Sequence, residues 1–306
     1  MNTHADYDDR DIYEARTARC PLCGGSSLAT HARIDRSAPP FSTDRCADCN
    51  FIFMNPRLTD TTIMSLYRED YYRGNAEYAY YDEREAERYA RHVWDARLRV
   101  IRRHVPGGGP FLDVGAAFGG LLRRASRWYE PYGIEPSLYA GSHAQGEFGQ
   151  HVHVGTLADH PFPQEFFSVI TMIEVLEHIA DPVRAVRECF RLLRPGGLAV
   201  IQTANMDGWQ AKLKGDRYAY FLPGHLSYFT MRNLSWMLKR EGFGDVRVFR
   251  PVEFGLLPKL LKSRYGFQSF WDYRRWWRIS LYHFVSMLAA GNFSPTSSMV
   301  VYAKKT

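Results

Sequence analysis

The chain contains no long hydrophobic run. Its apolar stretches are broken by charge well before the roughly 18 to 20 residues that a membrane span requires, which excludes a transmembrane helix. Met1 to Arg19 is polar and acidic, without the apolar segment of a secretory signal, so the expected compartment is the cytoplasm. Cysteine is scarce, at five in 306 residues, too few for a disulfide scaffold. No fixed-period repeat is present, which excludes solenoids and propellers. Charge of one sign never accumulates into a block: 39 basic residues are interspersed with 33 acidic ones, for a net charge of +6. That mild excess suits an anionic partner such as a nucleotide sugar, an acidic glycan, nucleic acid or a membrane face. The remainder is the composition of a folded protein, 45% hydrophobic and 24% charged, enough for one substantial core with a small appendage.

The cysteines are few but ordered. Cys20 and Cys23 stand in CPLCG, and Cys46 and Cys49 in CADCN. Two thiolates separated by two residues on a tight turn face one metal, and two such knuckles close a tetrahedral site. In a reducing compartment the pattern reads as zinc chemistry rather than disulfides. With no open coordination position the zinc is structural, and it replaces the core that a ribbon over residues 1–60 is too small to build. The nearby Arg16, Arg19, Arg33 and Arg36 are diluted by acids, which speaks against a ribbon that grips nucleic acid.

Residues 61–106 bridge to the main domain. They hold an aromatic cluster that includes Tyr67, Tyr71, Tyr72 and Tyr80, followed by a helical pattern from Glu83 to His104. There Ala86, Tyr89, Ala90, Val93, Trp94, Leu98 and Ile101 recur at three- and four-residue spacing, and Pro106 with three glycines ends the run. From residue 107 to 306 short apolar runs alternate with helical patterns, the signature of βα units on a parallel sheet. Strands are expected near 111–115, 130–134, 151–154, 166–173, 197–203, 245–250 and 298–304. An insertion at about 255–294 mixes Trp and Arg on helical patterns. Bracketed by strands, it reads as a helical lid, with peripheral membrane or glycan contact as the alternatives.

Three motifs carry the chemistry. In FLDVGAAFGG an apolar strand reaches Asp113, Gly115 permits a tight turn, and Gly119 lets the next helix start close to a ligand. In YGIEPS, Glu135 ends the next strand, where a carboxylate accepts from both hydroxyls of a ribose. In VITMIEVLEHIADP a strand runs into Glu174, Glu177 and His178.

In order and spacing, these motifs and the later LLRPGGLAVIQTAN resemble the class I S-adenosylmethionine methyltransferases. With the cysteine pairs, NPRLTD, EDYYRG and LPGHLSYFTMRNL, the chain resembles a branch in which a zinc ribbon precedes the catalytic domain, found among enzymes that modify sugars, polysaccharides and natural products. The resemblance implies an α/β fold, a Rossmann-like seven-stranded sheet with a small N-terminal zinc ribbon, and S-adenosyl-L-methionine as cofactor. It implies that Asp113, Gly115, Ala116 and Gly119 line the methionine end, that Glu135 and Pro136 hold the ribose, that Thr156 and Leu157 border the adenine, and that Glu174 lies beside the cofactor. Ala117 stands where a middle glycine is common, and Thr156 where many relatives present an acid, which leaves adenine recognition to backbone groups or Asp159.

For the acceptor side the candidate bases are His225 and His178, with Tyr72 and Tyr80 as positioning groups. Gly224 stands where related sugar C-methyltransferases carry a glutamate, so O-methylation of a small-molecule or glycan acceptor is the first expectation. C- or N-methylation of a nucleotide sugar, RNA methylation using the ribbon, and a non-catalytic cofactor-binding scaffold are the rivals.

Overall fold

The computed structural model describes residues 12–67, 69–72, 82–249, 253–287 and 297–306. Three antiparallel strands come first: β1 (Leu28–Ile34), β2 (Phe41–Cys46) and β3 (Ile52–Met54). Two short helices follow. In α1 (Asp60–Leu66) the Thr59 side chain caps the start by accepting from the Thr62 N–H, and α2 is Glu69–Tyr72. The helix expected over Glu83 to His104 is α3 (Glu83–His104), opened by the Asp82 carboxylate and closed by Arg102, Arg103 and His104 at its negative end. Its buried stripe runs through Ala86, Ala90, Leu98 and Ile101.

The main domain then alternates strand and helix. Its first half comprises β4 (Pro110–Val114), α4 (Gly120–Ala125), β5 (Glu130–Glu135), α5 (Leu138–Phe148) and β6 (Val152–Val154). Its second half comprises β7 (Phe167–Ile173), α6 (Pro182–Leu192), β8 (Leu193–Ala204), α7 (Trp209–Lys214), β9 (Ser227–Tyr228), α8 (Met231–Arg240) and β10 (Phe243–Phe249). After α9 (Leu257–Ser263) and α10 (Arg274–Met287), β11 (Ser298–Lys305) closes the sheet. All seven strands expected from the sequence are present, as β4, β5, β6, β7, β8, β10 and β11. They order as β10-β11-β8-β7-β4-β5-β6, with β11 antiparallel to both neighbours and the rest parallel.

Alternating side chains divide this sheet between two cores. Leu112, Val114, Ile170 and Met172 face one, while Phe111, Val169, Leu198 and Val200 face the other. Burial on both faces is why these strands read as nearly continuous apolar runs. The chain leaves β4 toward β5 on one side, and β7 occupies the other. A crevice therefore opens at the carboxyl ends of β4 and β7, the place where open α/β sheets bind ligands.

The ribbon is fused to this domain. β9 pairs with β3 through Ile52 and Tyr228, so a strand from beyond β8 completes the four-stranded ribbon sheet. A third core joins Ile34, Phe41, Ile52 and Met54 to Tyr218, Phe221 and Leu226. Leu22, Phe51 and Phe53 pack into the core that also contains Phe229, Leu234 and Met237. Helices α9 and α10 connect β10 to β11, and among the described residues no helix is long and apolar enough to cross a membrane.

Candidate active site

At the carboxyl end of β4 the backbone turns sharply. The Gly115 and Ala116 N–H groups both donate to the Ile134 carbonyl, at 2.8 and 3.0 Å, which ties the loop over the end of β5. Gly115 has φ +79°, and a Cβ there would come within 2.5 Å of Val175 Cγ2, so glycine is required on two counts. Ala117 also sits in the left-handed region, at φ 45°, which explains why glycine suits that position. Its N–H donates to Glu135 Oε2 at 2.8 Å, while the Ser137 N–H donates to Glu135 Oε1 at 2.9 Å. The Glu135 carboxylate thus fixes the β4 loop from the end of β5.

Asp113 is buried just before that loop and accepts from the Thr171 hydroxyl at 2.5 Å. Burial pushes its carboxyl up to about 8, with the Thr171 bond pulling the other way. Asp113, Gly115, Ala116, Glu135, Pro136, Thr156, Leu157 and Glu174 all line one cavity of about 2020 Å³. Pockets for a single small ligand usually hold about 300–1,000 Å³, so a cofactor and an acceptor fit together. Gly119 lies outside that lining: its φ of +79° starts α4, and a Cβ there would meet Phe148 at 2.8 Å. Asp159 does not line the cavity either, since its carboxylate accepts from the Thr156 N–H and hydroxyl at 2.6 and 2.7 Å.

On the opposite wall Glu174, at φ 57°, accepts from the Gln202 amide, and Arg97 donates to the other end of that amide. The Arg97 Nε donates to Glu253 at 2.7 Å, with both side chains almost fully enclosed at 4% and 0% exposure. This chain links the cavity wall to the segment before α9. Sequence reasoning missed Arg97 and Gln202, although a lone arginine between Trp94 and Leu98 on the buried stripe of α3 was a usable signal.

The two histidines come together. Their ring centroids are 4.6 Å apart, and both line the cavity. His178 Nδ1 lies 2.8 Å from the Gly224 carbonyl and 2.7 Å from the Tyr67 hydroxyl, while His225 Nδ1 lies 2.8 Å from the Tyr220 carbonyl. A nitrogen facing a carbonyl must carry the hydrogen, so each neutral ring holds its lone pair on Nε2. Burial pushes the His178 imidazole down to about 4 and holds His225 well below the ordinary range, with His178 adding to the latter effect. Behind them Glu177 is fully buried, with Glu174 and the Thr203 hydroxyl beside it. Tyr67 escaped the sequence-based site assignment because nothing in its spacing places it against His178. Tyr80 lies outside the described residues, and of Tyr72 only the backbone, at the end of α2, is described.

At the ribbon, Cys20 and Cys49 sulfurs are 3.7 Å apart, Cys23 and Cys46 sulfurs are 3.6 Å apart, and all four lie within 4.8 Å of one another. A tetrahedral zinc at about 2.3 Å from each sulfur would separate them by roughly 3.8 Å, so the four thiols fit that ion.

Comparison with known proteins agrees with this geometry. A family model described as a methyltransferase domain matches residues 81–248, more than half of the chain. The ubiquinone biosynthesis O-methyltransferase of Alkalilimnicola ehrlichii is 36% identical over 121 residues, covering 36% of this chain and 48% of that one. Its counterpart in Klebsiella pneumoniae is 32% identical over 136 residues, covering 40% and 55%. The chain thus spans only about half the length of these curated relatives. Among solved structures, phosphoethanolamine N-methyltransferase 2 of Haemonchus contortus with S-adenosyl-L-methionine superposes with a TM-score of 0.52 at 16% identity, covering 83% of this chain and 63% of that one. A methyltransferase of Archaeoglobus fulgidus gives 0.50 at 17%, covering 70% and 94%. At those identities the likeness concerns the fold. The strand order, the crevice beside Asp113 and Glu135, and the family match lead to one assignment: the chain belongs to the class I S-adenosylmethionine-dependent methyltransferase family.

Proposed function

We propose that the protein transfers the methyl group of S-adenosylmethionine to a hydroxyl of a small-molecule acceptor, such as a sugar, glycan or natural product. The observation that carries this reading is the neutral pair His178 and His225 on the wall of the cavity that also holds Asp113 and Glu135. The curated relatives are O-methyltransferases by name, which supports oxygen as the acceptor atom. Glu135 accepts the ribose hydroxyls, Asp113 with the Gly115 loop faces the methionine end, and the backbone of Thr156 to Ala158 borders the adenine. The bound cofactor supplies an electrophilic methyl on a sulfonium. The protein contributes position, since methyl transfer is fast when the acceptor oxygen is held in line with the carbon–sulfur bond. The His225 lone pair serves the hydroxyl by taking its proton. Turnover on pools of hydroxylated acceptors, with the product identified by NMR, tests the reading: a new O-methyl group supports it, and a C- or N-methyl product overturns it.

Two further assignments belong to this reading. We propose that the four ribbon cysteines hold structural zinc. We also propose that α9 and α10 rest on an anionic lipid surface. Phe270, Trp271, Trp277 and Phe284 are 81%, 76%, 69% and 61% exposed, an apolar outer face that water does not favour. Within 255–287, Lys259, Lys262, Arg264, Arg274, Arg275 and Arg278 oppose only Asp272, so this stretch carries most of the net charge of +6. Lys259 and Lys262 line the cavity, while Arg264, Arg274, Arg275 and Arg278 are exposed, and anionic lipid complements the exposed arginines. Sedimentation with phosphatidylcholine vesicles, with and without phosphatidylglycerol, tests the contact. Retention only with phosphatidylglycerol, lost in Trp271→Ser/Trp277→Ser, supports it, and indifference to either change overturns it.

A further inference from the structure

We propose that α9 and α10 form an anion subsite inside the cavity, where Lys259 and Lys262, with Arg278 at the mouth, receive a phosphate or diphosphate carried by the acceptor. The proposal rests on the O-methyl-transfer reading above and deepens it by naming a phosphorylated acceptor class.

The cavity lining is divided by charge. Asp113, Glu135 and Glu174 line the half formed by the carboxyl ends of β4, β5 and β7, where they complement a cationic sulfonium cofactor. From Phe254 onward the lining holds Lys259, Lys262, Arg275, Arg278 and His283, and among the described residues it holds no carboxylate. A wall of one sign around an enclosed space focuses the field and draws the opposite charge.

The helices set this wall in place. Lys259 and Lys262 are three residues apart on α9, and Arg275, Arg278 and Tyr282 recur at three- and four-residue spacing on α10, so each helix turns one stripe toward the cavity. The turn after α9 is held against α3 by Tyr265 on Tyr89, with ring centroids 6.0 Å apart.

Two of the cations are uncommitted. The half-buried Lys259 side chain has neither a hydrogen bond nor an ion pair among the described residues. The carboxylates that act on it are engaged elsewhere, Glu253 with Arg97 and Glu174 with the Gln202 amide. Burial holds the Lys259 ammonium below the ordinary lysine range, an effect that an arriving anion opposes. Arg278 is exposed and also lacks a partner among the described residues, whereas Arg275 is bound to the Gly266 carbonyl and to Asp272.

A lone carboxylate would satisfy one of these cations. A phosphate monoester brings a charge of roughly −1.5 to −2 and three acceptor oxygens, which suits several cations converging on one space. The position also suits the chemistry. Tyr282 on α10 lies within electrostatic reach of Tyr220, whose carbonyl faces His225 Nδ1. An acceptor anchored by its phosphate on α9 and α10 therefore extends toward His225, and the cavity of about 2020 Å³ has room for it beside the cofactor.

The test is calorimetric titration of inorganic diphosphate into full-length protein saturated with S-adenosylhomocysteine, at about 0.15 M salt so that remote charges are screened. One diphosphate per chain is expected, with affinity reduced about tenfold or more in Lys259→Gln and in Lys262→Gln. Arg127→Gln removes the same charge from an exposed position outside the cavity and should change affinity by less than about twofold. If wild-type protein does not bind diphosphate, or all three variants weaken it equally, the subsite does not exist. Displacement of S-adenosylhomocysteine by diphosphate also overturns it, because the cations would then face the cofactor. Should Lys259→Gln fold poorly, the comparison of Lys262→Gln with Arg127→Gln decides. Uridine diphosphate and farnesyl diphosphate in the same assay separate a soluble source of the phosphate from a lipid-borne one. Cofactor binding without diphosphate binding overturns this inference alone, and a C- or N-methyl product overturns the hydroxyl reading while the diphosphate result stands.

Discussion

His178 and His225 meet edge to face, with ring planes 76° apart, because the loop that carries His225 is fastened on one side to the turn after β7 and on the other to the ribbon. The Gly224 carbonyl faces His178, the Leu226 N–H reaches Glu177, and Tyr228 pairs with Ile52. The ribbon therefore acts as a clamp on the wall of the cavity that carries His178 and His225.

Replacing either histidine should separate chemistry from cofactor binding. His225→Ala is expected to lower turnover about a hundred- to ten-thousand-fold through loss of the general base. S-adenosylmethionine affinity by calorimetry should stay within about twofold. His178→Ala is the companion measurement. If both variants keep most of their activity from about pH 6 to about pH 9, the pair serves packing alone.

Glu135 both secures the Ala117 loop and faces the cavity. Glu135→Ala should weaken S-adenosylmethionine by about 1 to 3 kcal/mol through lost charge-assisted bonds. Calorimetry showing unchanged affinity would remove it from the cofactor site.

Asp113 gives the binding a pH signature. Its folded pKa of about 8 lies above the ordinary 3.8, so at neutral pH the cofactor-free carboxyl is mostly protonated. A cationic methionine end favours the carboxylate, so binding releases a proton. Affinity should rise up to about tenfold per pH unit below pH 8 and level off above it. The sign for stability is opposite: the cofactor-free fold loses this contribution as pH rises from about 4 toward 8, because unfolded Asp ionises first. Asp113→Asn should abolish the slope in affinity. Titrations in buffers of different ionisation enthalpy that detect no proton release would contradict this assignment.

Metal analysis should find one tightly held zinc in the ribbon. Cys46→Ser should lose it and, because β3 carries β9, should also cut turnover while leaving S-adenosylmethionine affinity largely intact. A disulfide between these cysteines, or full activity without zinc, would sink the assignment.

The Arg97–Glu253 pair predicts a stability change far from the chemistry. Arg97→Met leaves a fully buried carboxylate unpaired and should cost about 3 to 5 kcal/mol in denaturant unfolding. Arg97→Met/Glu253→Gln should recover most of that loss. A double variant no more stable than the single one would mean that packing of the arginine, not its charge, matters.

By itself the sequence determined the sheet, the loop and the spacing of the two cysteine pairs. Periodicity marks α3 and all seven strands of the main sheet, because burial on one stripe or on both faces is a local demand that each segment must satisfy. Asp113, Gly115 and Glu135 were legible because a tight turn between a strand and a helix restricts residue type at fixed spacing, and the cysteine pairs because two thiols two residues apart on a tight turn converge locally. Only the tertiary structure decided what long-range contacts decide. It placed Tyr67 against His178, joined Arg97 to Gln202 and Glu253, moved Gly119 and Asp159 out of the cavity lining, and added β9 to the ribbon sheet. Those pairings join residues far apart in the chain. Their geometry is set by how two cores pack around one sheet, a collective outcome that no short window of sequence encodes.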